Sequence, residues 1–121
     1  MVLGFSPYFE HDTLLSRLIS YDTLWTGLLY MGMARSGHPY MGVGRNLAYR
    51  RGTFFSNNGF QGLLSERSGD DDLFVNKVAT QKNTSVVCSR GSLTWSSPKK
   101  TWREWIQQKR RHLSVSPLYR A

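Results

Sequence analysis

The apolar positions in the first third of the chain recur at two different spacings. Val2, Leu3 and Phe5 lie close together before Pro7, which predicts a short strand running into a loop. From Leu14 the spacing turns helical through Leu15, Leu18, Ile19, Trp25, Leu28 and Leu29, with Asp22 interrupting the stripe. This predicts a long, mostly buried helix over 13–34, N-capped by Asp12 and ended by Gly37 and Pro39. Apolar side chains around most of its girth imply burial against a sheet.

Beyond Pro39 the pattern shortens. Gly42-Val43-Gly44-Arg45-Asn46 reads as a tight loop, and Leu47-Ala48-Tyr49 as a short strand. A short helix and an exposed loop fit 53–66, anchored by Phe54, Phe55 and Phe60. A second helix follows from Ser68 to Ala79, where Ser68 and Asp71 have capping-box spacing and acids crowd the first turn. Strands are predicted over 85–88 and 92–95, with a turn at Ser96-Ser97-Pro98. Thr101 and Glu104 repeat the capping-box spacing and open a helix to about Leu113, with Trp102, Trp105, Ile106 and Leu113 on its apolar face. The order β-α-β-(α)-loop-α-β-β-α is an α/β pattern.

Composition narrows the class. The chain has 121 residues, room for one domain or part of one. Apolar residues make up 40% and aromatics 13%, too many for a disordered tail. Sixteen Lys and Arg against eight Asp and Glu leave +8, and the surplus reflects scarce acids rather than a lysine-rich run. Cys88 is the single cysteine, which excludes an internal disulfide and a multi-cysteine zinc site. Its place in an apolar strand predicts a buried, inert thiol. No apolar stretch approaches the ~20 residues that span a bilayer.

Three segments carry candidate chemistry. Asp70-Asp71-Asp72 holds three of the eight acids, and mutual repulsion predicts that at least one carboxyl keeps its proton more tightly than a free Asp. That is a route to a general base, and helix capping is the alternative. An EF-hand is excluded because Val75 and Gln81 stand where Gly and Glu are needed. An Asp-x-Asp metal pair fits by letters alone. Gln108-Lys109-Arg110-Arg111-His112 is a cation cluster suited to phosphate, to an anionic membrane surface, or simply to a solvated helix end. Gly44 and Arg45 offer backbone amides and a guanidinium to an anionic substrate. His11 and His38 share no metal-ligand spacing and read as surface histidines.

In this order, Gly37–Arg50, Ser68–Asn76 and Gln108–His112 resemble the C-terminal half of an inverting family 2 glycosyltransferase, closest to bacterial membrane-associated members. Gly69-Asp70-Asp71 with Asn76 five residues on also resembles hyaluronan synthases. The resemblance implies a partial GT-A domain spanning 1–121, with the N-terminal nucleotide-binding half missing. It implies Asp71 as catalytic base with Asp70 in support, and Gln108, Arg111 and His112 near the diphosphate. His112 replaces the family's Trp. Gly44 and Arg45 would line the acceptor side. The metal ligands belong to the missing half, so a divalent cation, Mg or Mn, is expected for the whole enzyme and no metal site in this chain. Implied partners are a nucleotide-sugar donor, a saccharide or lipid-linked acceptor and, through missing flanking helices, the cytoplasmic face of the inner membrane; nucleic acid is not implied. The isolated chain would be inactive. The alternative is a small basic module that binds nucleic acid or a membrane surface.

Overall fold

A computed structural model of the chain describes residues 1–63 and 69–119. It is a small mixed α/β protein. Strand β1 (Val2–Gly4) leads to helix α1 (Leu14–Arg35), strand β2 (Leu47–Ala48) and helices α2 (Arg51–Ser56) and α3 (Asp70–Val78); strand β3 (Ser85–Val87) and helix α4 (Trp102–Val115) complete the order. The sheet runs β2-β1-β3. β1 pairs antiparallel with β2 (Leu3 opposite Leu47) and parallel with β3 (Leu3 opposite Val86). β1 is therefore central, and Leu3 is fully buried.

The core lies where α1 and α3 pack on this sheet. Leu3, Tyr30, Ala34, Val75 and Ala79 form it. Tyr30 donates its hydroxyl to the Gly4 carbonyl at 2.6 Å, tying α1 to the end of β1, and burial pushes its pKa up to about 12. A second cluster joins α2 to α3: Phe74 is fully buried against Tyr49, Phe54 and Phe60, with ring centroids 5.0–5.9 Å apart.

Helix ends follow side-chain chemistry. The N-cap of α1 is Thr13, not Asp12: the Thr13 hydroxyl accepts from the Ser16 amide at 3.1 Å, while the Ser16 hydroxyl accepts from the His11 amide. Asp12 instead pairs with Arg17 in solvent. At the other end Gly37 adopts φ 92°, and the amides of His38 and Gly37 return to the carbonyls of Met33 and Ala34. This closure needs a left-handed residue, which glycine supplies at little cost. The Thr101–Glu104 capping box of α4 forms as the spacing predicts. The Ser68–Asp71 box and the end of the 53–66 loop lie outside the described residues. The residue capping α3 is Gly69, at φ 83° and without a side-chain bond.

Several expectations are corrected. Residues 92–95 are not a strand; a 3-10 turn over Arg90–Ser92 breaks the run. The supposed turn at Ser96 is extended chain, bridged to Tyr8 through Phe9 N–Ser96 O and Ser96 N–Pro7 O bonds. Cys88 is exposed; it follows β3, an edge strand whose Ser85 and Val87 are themselves exposed. The largest correction concerns α1. One side, through Leu15, Ile19, Gly27, Tyr30 and Ala34, is buried. Leu14, Leu18, Trp25 and Leu29, spaced four, seven and four residues apart, stand on the other, and Leu14 is 68% exposed. A three-stranded sheet covers only one side of so long a helix. The apolar face of α4 is likewise open at Trp102, Ile106 and Leu113.

Replacing Tyr30 by Phe strips the buried Gly4 carbonyl of the hydroxyl that it accepts from. A loss of about 1–2 kcal/mol is expected. Urea unfolding measures it, and an unchanged midpoint would show that this bond does not fasten α1 to the sheet.

Candidate functional site

A cleft of about 770 Å³ opens between α1, the first turn of α3 and α4. That volume lies within the range typical of small-molecule sites, roughly 300–1,000 Å³. Three separate stretches of chain reach it: the Gly44–Arg45 loop, the acids Asp70, Asp71 and Asp72, and Gln108 with His112. The described lining includes neither Arg110 nor Arg111, and Arg111 is exposed.

The loop is held rigidly. Asn46 donates to the carbonyls of Phe5 and Ser92, both at 2.7 Å, joining the exit of β1 to the 3-10 turn. Arg45 donates to the Ser6 carbonyl at 3.0 Å, and its guanidinium lies 4.1 Å over the Tyr8 ring. The side chain expected to face an anionic substrate is thus a clamp on the segment after β1. Gly44 has a different part. A Cβ built there would overlap the Asp71 carboxylate, so only glycine lets the first turn of α3 approach the loop this closely.

The acids occupy unequal surroundings. Burial raises the Asp71 pKa, with the Asp70 charge and a side-chain hydrogen bond to Asp70 adding to the effect. Burial pushes Asp72 further, to about 7, against the opposing effect of the Tyr119 hydroxyl, which donates to it at 3.2 Å. Sequence reasoning anticipated a raised carboxyl but not which residue would be raised most. The signal it lacked was the burial of Asp72, which tertiary packing sets. Tyr119 also packs edge-on against Tyr40, whose carbonyl accepts from Asn76. Val115 is buried against Gly69, where an added Cβ would meet it at 2.7 Å. The end of α4 therefore closes directly over the start of α3.

On the far wall Lys109 donates to both oxygens of Asp22, at 3.0 and 2.8 Å, bridging α4 to α1. This explains the polar interruption in the α1 stripe. His112 is open to solvent overall. Burial, together with the charges of Lys109, Arg111 and Arg45, lowers its pKa and favours the neutral imidazole. Trp105 lines the cleft one turn before Gln108.

Among the described residues no group of three or more His, Cys, Asp and Glu side chains is placed to hold a metal ion. Asp72 is bonded to Tyr119, and Asp71 faces Gly44 with a strengthened hold on its proton. Among the described residues no helix is long and apolar enough to cross a membrane.

Asp72 links this geometry to stability. Its folded pKa lies above the unfolded value of about 3.9, so its contribution is fully present below pH 4 and is lost as pH rises through about 7. The slope reaches up to ~1.4 kcal/mol per pH unit. Asp72→Asn stays neutral and still accepts from Tyr119, so it is expected to exceed the wild type in stability above pH 7 and to match it near pH 4. Urea midpoints at pH 4, 6 and 8 measure this, and a constant gap between the two proteins would refute it. No family model, curated protein or solved structure matches the chain.

Proposed function

We propose that this chain is the acceptor side of an inverting glycosyltransferase of the GT-A type, supplying the catalytic base while a separate donor half binds the nucleotide-sugar. The observation that carries the reading is the meeting of the Gly44 loop, the acidic turn and the Gln108–His112 helix in one cleft. The family resemblance rests on those same three segments. The apolar outer face of α1 also supports it, since a helix apolar on all sides belongs inside a larger domain. The cytoplasmic face of a membrane is the proposed location of the whole enzyme, and any divalent cation belongs to the donor half.

In the reaction Asp71 takes the proton of an acceptor hydroxyl. The freed oxygen attacks the anomeric carbon from the face opposite the leaving group. The new C–O bond forms as the bond to the nucleoside diphosphate breaks, and the diphosphate leaves with the electron pair. A raised pKa suits a base working near neutrality. Asp70 supports Asp71 through its adjacent charge, which strengthens the hold of Asp71 on the proton it takes. Gln108 and His112 face the reacting groups from α4. Arg111 lies outside the cleft lining and is assigned to the diphosphate by resemblance alone.

The test joins the chain to a donor half. Asp71→Asn is expected to lower kcat by about 10²–10⁴-fold while nucleotide-sugar affinity, read by calorimetry, stays within twofold. Near-normal turnover would remove Asp71 as base. Gly44→Ala is expected to displace the Asp71 carboxylate and lower kcat without changing donor affinity. The chain alone is expected to transfer no sugar.

A further inference from the structure

The chemistry of the cleft bears on what it holds. Its cations are engaged: Arg45 with the Ser6 carbonyl and the Tyr8 ring, Lys109 with both oxygens of Asp22. His112, the remaining basic group among the described lining residues, has its pKa lowered by burial and neighbouring cations, which favours its neutral form. Facing them across the same space are Asp70 and Asp71, carboxyl groups able to accept from hydroxyls. An anion placed here would meet those carboxylates, with Lys109 already ion-paired to Asp22 and Arg45 the one lining cation without a carboxylate partner among the described residues.

Aromatic rings contribute to the rest of the wall, among them Tyr8, Tyr40 and Trp105. Trp105 is only partly buried and is braced by Trp102, edge to face at 6.0 Å and 72°. An indole and carboxyl oxygens lining one cleft match a pyranose, which presents an apolar C–H face on one side and hydroxyl donors around its rim.

We propose that the cleft binds an uncharged sugar ring stacked on Trp105, with its hydroxyls directed to Asp70 and Asp71, and that it discriminates against anionic sugars. This deepens the transferase reading by naming a neutral acceptor unit, and Trp105 is the positioning residue. Binding itself requires no donor half.

The experiment is an NMR titration of the ¹⁵N-labelled full chain with methyl β-glucoside, methyl β-galactoside and methyl α-mannoside, each beside its uronide. At least one neutral glycoside is expected to shift the Trp105 indole signal and the amides of Gly44, Asp70 and Asp71. Its uronide is expected to bind about tenfold more weakly. Trp105→Ala is expected to weaken binding about tenfold. Trp25→Ala, on the outer face of α1, is expected to leave it unchanged, which controls for general loss of aromatic surface. Equal or tighter uronide binding, unchanged affinity in Trp105→Ala, or no shifts with any neutral glycoside would each overturn the inference. A preference for uronides combined with transfer activity in the joined enzyme would sink this proposal and keep the transferase reading. Neutral-sugar binding with no transfer would do the reverse.

Discussion

Three carboxyl groups on consecutive residues repel one another, and partial burial adds a desolvation penalty to that repulsion. The chain meets this cost at the start of α3, where unpaired backbone amides and the positive end of the helix dipole favour negative charge. Two further contacts complete the arrangement. Gly44 leaves room for the Asp71 carboxylate, and Tyr119 donates to Asp72. The remaining elements hold these pieces in place: β1 and Asn46 fix the Gly44 loop, the Phe74 cluster fixes α3, and the Lys109–Asp22 pair fixes α4 to α1. The outcome is unequal proton affinity within one short acidic run.

How much of this was legible in the sequence depended on the range of the interactions involved. α1 was placed within a residue at either end because its stripe and its Gly37 stop are local signals. The Thr101–Glu104 box was legible for the same reason. The N-cap of α1 was misplaced by one residue because Asp12 and Thr13 are both good caps, and only the geometry of Ser16 and His11 decides between them. The false strand at 92–95 has a short apolar and β-branched run, yet Asn46, Ser6 and Thr94 tie that stretch into loop contacts far apart in sequence. Cys88 was misjudged because an apolar run does not reveal that β3 is an edge strand, exposed at Ser85 and Val87 as well.

The candidate site divides along the same line. That the Gly44 loop, the acids and the α4 helix carry chemistry was legible from residue type and order. Their roles were not. Arg45 turned out to clamp Ser6 and Tyr8, and Arg111 lies away from the cleft lining. Trp105 was read as part of an apolar helix face, although it points its ring into the cleft wall. In each case the deciding contact joins residues that periodicity cannot connect.

The Val115–Gly69 contact has a mechanical side. Val115 ends α4, Gly69 begins α3, and the 3-10 turn over Ser116–Leu118 spans the short distance from Val115 to Tyr119. α4 thus acts as a lever whose short arm ends on a carboxyl group. A tilt that lifted Val115 from Gly69 would draw the Tyr119 hydroxyl away from Asp72 and loosen the packing that dehydrates it. Removing the hydroxyl raises proton affinity, whereas admitting water lowers it, so the direction of the change would report which of the two yields first. Displacement of this helix would thus be coupled to the proton affinity of Asp72 through a valine, a glycine and a tyrosine.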